Sequence, residues 1–281
     1  MKGKLSTLAL GLALAWGASP AMAASNAEIS QDGNANDATI LQSNTAFGYA
    51  NARIEQNGDR NDGYIEQNGV AFTANASIYE GYRADRNSST IQQNLVAGVD
   101  ASITHFGSHN DSWIDQTEGG QLSASIRQGG DHNTAGIEQS DGFDMVASIN
   151  ANQGYRGGDY NRAWITQTGA HQRGKIEQNE SRYSTADITQ SGVNNDAFIG
   201  QDGYRNQAYI TQVGFGYDND AKILQTGNLN HAYVEQFGAN LDARVYQPGS
   251  YNHAGVVQVG ANHTANVKQT GNYNSAMVYQ Q

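Results

Sequence analysis

All 17 isoleucines of this chain stand at one phase of a short recurring phrase, Ala-x-Ile-x-Gln. A residue type confined to one phase of a repeat means that the repeat is the fold. The series runs from Ile29, Ile40 and Ile54 to Ile223. Val234, Val245, Val256, Val267 and Val278 then continue it, giving 22 phrases, most of them 11 to 13 residues apart. Two positions before the aliphatic the residue is always small, Ala except at Gly63, Ser89, Ser112 and Gly174. Two positions after it stands Gln in 19 phrases, the exceptions being Glu80, His105 and Ala151. Gly commonly follows two residues further on, so each phrase reads as a short strand and a turn.

Side chains at i−2, i and i+2 of a strand share a face. Ile29, Ile54, Ile114, Ile165, Ile210, Val234, Val256 and Val278 are therefore expected in an inner column, flanked by the small residue and the Gln. The residues between them, such as Arg53, Glu66, Asp115 and Lys175, face outward. A slip of one residue would bury this polar set, so the register is fixed.

A second period lies over the first. Four residues before the aliphatic, alternate phrases carry Asn36, Asn61, Asn87, Asn110, Asn133, Asn161, Ser184, Asn206, Asn230, Asn252 and Asn274, whereas the intervening phrases are Asn only at Asn195 and Asn219. The true unit is thus two strands and two turns, occurring eleven times. Such a unit buries its inner face only by folding one strand over the other and stacking on the next unit. The expected fold is all-β, a two-sheet parallel β-solenoid of about eleven strand-turn-strand coils, cross-β when polymerised. At about 4.8 Å per coil it makes a rod about 53 Å long.

Inward amides then stack into ladders in which each donates to one neighbour and accepts from the other. The expected assembly ladders are Gln31, Gln42, Gln56, Gln67, Gln167, Gln190, Gln212, Gln236, Gln258 and Gln280, with Asn36, Asn61, Asn161, Asn206, Asn230, Asn252 and Asn274. His105 and His263 fall on inward phases and are expected to stand in for ladder amides. Pro248-Gly249 matches the middle pair of a type II turn.

Leu, Ile, Val and Phe make up only 43 of the 258 residues after position 23, a share that usually marks disorder. Half of them sit in one column, and that removes the objection. Lys2 and Lys4, the apolar run Leu5 to Trp16 and the small-residue end Ala21-Met22-Ala23 read as a secretory signal over 1–23, too short to span a bilayer, with the solenoid over 24–281. Losing the two lysines takes the net charge from −11 to −13, which disfavours nucleic acid as a partner. There is no cysteine, although an exported chain could use disulfides.

No catalytic phrase or cofactor motif is present. His231 and His253 share an outward column on consecutive coils, but two ligands do not make a metal site. Gly157-Gly158-Asp159 occurs once and reads as a long turn. Outward aromatics Tyr64, Trp113, Trp164, Tyr209 and Tyr233 form a possible lateral-contact stripe, which the nearby Gly136, Asp187 and Gly255 interrupt. A monomeric solenoid binding a surface or carbohydrate through this stripe is the alternative to a fibre subunit. Ice binding would call for paired outward Thr, and only Thr166, Thr189 and Thr211 line up. The first phrase begins at Ala27 and the last ends at Gln280, without capping segments, so the two ends are expected to add head to tail into an open homopolymer.

The phrase Asn-x-Ala-x-Ile-x-Gln-x-Gly, as in Asn161 to Gly169, Asn206 to Gly214 and (with Val234) Asn230 to Gly238, resembles the repeat of the curlin family. These are the subunits of curli, the secreted functional-amyloid fibres of Gram-negative bacterial biofilms. The resemblance implies a non-enzymatic structural subunit of an extracellular fibre at the cell surface, serving adhesion and biofilm matrix. It also implies two partners besides the chain itself, a nucleator subunit and the outer-membrane secretion machinery. The chain departs from the family in two respects: Ala24 leads straight into the first phrase, where curlin major subunits carry a Gly-rich secretion segment, and its eleven coils exceed the family's usual handful, with the first strand of the coil often lacking its Asn.

Overall fold

The computed structural model describes residues 24–43, 48–82, 84–151, 158–214 and 218–281; the signal expected over 1–23 lies outside them. Among the described residues there are twenty strands and no helix. Each coil contributes two strands, and every strand pairs in parallel with its counterpart one coil away. On the first face Ile29 pairs with Ile54, Ile54 with Ile78, and so on to Val245 with Val267. The second face runs from Ile40 opposite Ile65 to Val256 opposite Val278. The eleven-coil parallel β-solenoid read from the repeat is therefore the fold.

The two faces are not fully separate sheets. Asp111–Gln128 and Thr134–Ala151 each run without a break through a corner, carrying Ile114 with Ile126 and Ile137 with Ile149. These two long strands join the stacks into one continuous pairing network.

Burial alternates as the pleat demands. Along Asp62–Asn68, Gly63, Ile65 and Gln67 are buried while the residues between them are partly or fully exposed. The Ala and Ile columns of both faces meet in one core that runs the length of the rod. Ile29, Ile40 and Val278, in the first and last coils, are only partly buried because no described residue covers their outer side. A satellite core explains why first-face phrases lack Asn in the N-terminal half. Ala50, Ala74, Val99, Leu122 and Met145 occupy that position and pack with Val70 and Val96 inside the corner.

One corner is built on glycine. At Gly192 φ is +113°, and a Cβ would collide with the carbonyl oxygen of Gly214 on the next coil. Pro248-Gly249 lies at the other corner, stacked between Gly227 and Gly271, and is not a free type II turn: Pro248 pairs with Thr226, and Gly249 has φ of +132° opposite Gly227. A stacked corner must copy the backbone of its neighbour, and that overrides the local turn preference.

Candidate assembly interface

The second-face glutamines form one unbroken ladder. Gln42 Nε2 donates to Gln67 Oε1 at 2.8 Å, Gln67 to Gln93 at 2.8 Å, and the chain of bonds passes through Gln116, Gln139, Gln167, Gln190, Gln212 and Gln236 to Gln258. It closes with Gln258 Nε2 on Gln280 Oε1 at 2.7 Å. Every bond has the same direction, the amide donating toward the C-terminal coil. The second amide hydrogen goes to backbone, as from Gln236 to Asp220 O at 3.0 Å, so these fully buried groups are satisfied.

On the first face the ladder is broken in its middle. Gln31 donates to Gln56, and Gln178, Gln201, Gln225, Gln247 and Gln269 are linked in sequence. Between these runs stand Glu80, His105, Gln128 and Ala151. His105 does not continue the amide ladder, as the repeat led us to expect. Its Nε2 lies 2.8 Å from Ser112 Oγ and its Nδ1 3.3 Å from Ser89 Oγ, both across the core. Ser89 donates to Glu80 Oε1 at 2.9 Å, and Ser112 to Gln128 Oε1 at 2.7 Å. The two serines that replace Ala thus sit opposite the residues that replace Gln, and their hydroxyls close the connection by zigzagging between the faces. Three buried polar atoms of this column remain without a partner among the described residues: Glu80 Oε2, Gln128 Nε2 and Gln178 Oε1.

The asparagines work differently from the glutamines. Asn206 Nδ2 donates to Gly227 O at 2.9 Å, a turn carbonyl of the next coil, and its Oδ1 accepts the backbone N–H of Asn230 at 3.1 Å. Asn36, Asn61, Asn161, Asn230 and Asn252 likewise donate to turn carbonyls of the following coil. Asn274, in the last coil, returns its amide to Asn252 Oδ1 at 3.0 Å. Shorter by one methylene and placed at the strand entrance, Asn reaches backbone where Gln reaches amide. His263, also expected to stand in for a ladder amide, is partly exposed at the opposite corner.

The outward stripe is less continuous than its sequence spacing suggests. Trp113 and Trp164 touch, with ring centroids 5.5 Å apart, because the intervening Gly136 leaves room for both rings. Tyr233 similarly lies over Gly255 and donates toward Met277 Sδ at 3.5 Å. Tyr64 donates instead to Glu66 at 2.9 Å, and Tyr209 and Tyr233 each contact the His231 ring. The glycines are thus covered by neighbouring rings. His231 and His253 stack at 4.9 Å, and burial, then the second imidazole, holds the His231 pKa below its usual value. Stacked rings point their nitrogens sideways, and among the described residues no group of three metal-ligating side chains exists. Asp159 accepts the N–H of Asp131 and pairs with Arg182 at 3.1 Å, so it belongs to the corner.

Charge on the first face includes a column of stacked carboxylates, Asp196, Asp220 and Asp242. Burial, then Asp242 and Asp196, raises the Asp220 pKa above the usual carboxylate value, with Arg244 and Lys222 opposing. Asp62 is raised by burial and by Asp37 of the preceding coil.

Among the described residues no helix is long and apolar enough to cross a membrane. No curated protein matches the chain. The family model of the curlin associated repeat matches residues 184–214, 216–249 and 238–271. Those spans cover consecutive coils whose inward Gln and Asn make the bonds described above, and the chain is accordingly a β-solenoid carrying curlin associated repeats at three places in its C-terminal half.

Proposed function

We propose that this protein is the subunit of an extracellular curli-type amyloid fibre, exported and added head to tail, and that the ladder residues form its assembly interface. The observation that carries this reading is the unbroken, one-directional ladder of the second face. A ladder of one polarity has complementary ends: Gln280 presents an amide donor beyond the last coil, and Gln42 presents an acceptor before the first. Docking the last coil of one chain on the first coil of another would set Gln280 on Gln42 and Gln269 on Gln31. The same register would place Val267 on Ile29, Val278 on Ile40 and Tyr279 beside Leu41. Tyr279 and Leu41 are 62% and 45% exposed, so their contact would bury apolar surface in addition to the hydrogen bonds. Because each addition would leave the same two complementary ends exposed, addition would continue as a filament.

In this reading fibres serve adhesion and matrix formation, and a nucleator subunit and a secretion channel act upstream. The five outward aromatics would supply lateral contacts between filaments. Binding of a surface by the monomer through these rings would require a broader exposed face than the single Trp113–Trp164 contact provides.

The test is fibre diffraction of purified residues 24–281 after quiescent incubation. A meridional reflection near 4.7–4.8 Å with an equatorial one near 10 Å is expected. A folded monomer that stays soluble through long incubation and seeding would refute the proposal. Appending a charged, Pro-bearing repeat after Gln281 is expected to block growth from that end, and undiminished growth from both ends would refute head-to-tail addition.

A further inference from the structure

A column of exposed side chains runs along the corner that leads into the second strand, and neither the ladders nor the coil ends use it. Five residues before the second-face aliphatic, every coil places a non-glycine residue in the left-handed region, from Ala35 to Tyr273, with φ of 54° to 61°. Each of these residues from the second coil onward donates its N–H to a carbonyl of the preceding coil, for example Tyr183 to Asp159 and Tyr273 to Ser250, both at 3.0 Å. Side chains therefore leave the rod at the same point with nearly the same backbone geometry, one coil apart.

Where two successive coils both carry Tyr, the rings lie face to face. Tyr160 and Tyr183 are 4.9 Å apart with planes 1° from parallel, and Tyr251 and Tyr273 are 4.7 Å apart at 10°. All four are between 45% and 76% exposed. Tyr209 and Tyr233 also share a column on adjacent coils. Both are half-buried on the flat face, and each meets the His231 ring instead, Tyr209 tilted at 5.8 Å and Tyr233 edge-on at 6.2 Å.

We propose that Tyr160–Tyr183 and Tyr251–Tyr273 are sites of oxidative cross-linking by a one-electron oxidant of the haem peroxidase and hydrogen peroxide class. Peroxide takes one electron and one proton from each phenol and is reduced to two waters, leaving two phenoxyl radicals. Their unpaired electrons reside partly on the ring carbons ortho to oxygen. One such carbon from each ring forms the new C–C bond, the two unpaired electrons becoming its pair. Each bonded carbon then releases its hydrogen as a proton, and each oxygen regains a proton, which restores both aromatic rings. The chain loses two hydrogen atoms overall. Stacking matters because coupling needs two radicals in contact before either is quenched, and the paired backbone holds them at high effective concentration. The product ties one coil covalently to the next, and at Tyr251–Tyr273 it ties down the last coil. A single chain suffices, so the site does not depend on polymerisation.

The experiment treats soluble residues 24–281, half of the chains isotopically labelled, with a haem peroxidase and hydrogen peroxide. Dityrosine is read by its fluorescence, and linked peptides are mapped by mass spectrometry. The expected products are unmixed, intrachain 160–183 and 251–273 links lighter by two hydrogens. The Tyr183→Phe/Tyr273→Phe double variant keeps the ring stacks and is expected to lose about tenfold in dityrosine, whereas Tyr209→Phe/Tyr233→Phe leaves the yield unchanged. Links that follow exposure alone, such as those of Tyr82, links that mix labelled with unlabelled chains, or an undiminished yield in the first variant would overturn the proposal.

Discussion

Ala151→Gln should stabilise the protein, although it inserts a polar side chain at a position only 1% exposed. On one side of this alanine Gln128 Nε2 is buried without an acceptor, and on the other Gln178 Oε1 is buried without a donor. Both belong to the first-face column, in which Ala151 pairs with Gln128 and with Gln178. A glutamine at 151 in the ladder conformation accepts from the first and donates to the second. Each buried orphan costs about 1–3 kcal/mol, so relieving two gains about 2–6 kcal/mol. Fixing the new side chain costs about 2 kcal/mol of rotamer entropy, which leaves a net gain of about 2 kcal/mol.

Repeat arrays need not unfold in one step, so the assay should be local. Amide exchange of Arg173–Arg182 and Thr134–Ala151 is expected to slow about tenfold or more, since about 1.4 kcal/mol is a factor of ten. A double-mutant cycle with Gln178→Ala isolates the mechanism, because removing the orphaned acceptor should cut the gain by about half. A neutral or destabilising Ala151→Gln, or a gain unchanged in the Gln178→Ala background, would refute the reasoning.

Other consequences follow from the same bonds. Gln236→Ala and Gln258→Ala should each cost about 2–4 kcal/mol in local exchange stability, and less than additively together, because the bond they share is lost once. Glu235→Ala and Val257→Ala, outward in the same strands, should stay within about 0.5 kcal/mol, and equal effects at both pairs would contradict the inward placement. His105→Ala should cost about 1–3 kcal/mol by removing the ring that bridges Ser89 and Ser112 across the core, whereas Glu80→Gln with His105→Gln, which restores the amides of the column, should be neutral or stabilising in denaturant titration. Raised carboxyl pKa values at Asp220 and Asp62 mean that the fold binds protons more tightly than the unfolded chain does. Stability should therefore rise as pH falls from neutral through those raised values, the gain being complete below the unfolded value near 3.8. Asp220→Asn should raise the unfolding midpoint at neutral pH and flatten this dependence.

What the sequence discloses depends on how local the physics is. Period-2 alternation placed Ile54 and Gln67 inward without reference to any neighbour, because the pleat alone decides it. The Asn phase showed that two strands make one unit, but not what Asn bonds. Its partner is a turn carbonyl one coil away, and that contact exists only once coils stack. The Tyr160–Tyr183 corner stayed hidden for a different reason. Ala, Arg, His, Tyr and Leu carry no turn preference, and stacking against the neighbouring backbone imposes on them a left-handed conformation that costs about 1–2 kcal/mol. Ser89 and Ser112 stood out as departures from Ala, as did Glu80 and His105 from Gln. That they compensate one another could be seen only when the two faces were brought together.

The distribution of these departures bears on assembly. Glu80, His105 and Ala151 all lie in interior coils, where the facing strand or the next coil shares the strain. There Ser89 and Ser112 cross the core to bind the misfit groups, and the cost stays within one chain. In the proposed head-to-tail addition the outward amides of an end coil would instead meet a second chain. Gln31, Gln42, Gln269 and Gln280 keep the repeat's amide on both faces at both described ends. So do the partly exposed Ile29, Ile40 and Val278 with the aliphatic. If the ends were ordinary surface, these are the positions where polar, irregular residues would cost least. Their fidelity to the repeat is what a surface that must match a second copy of itself requires.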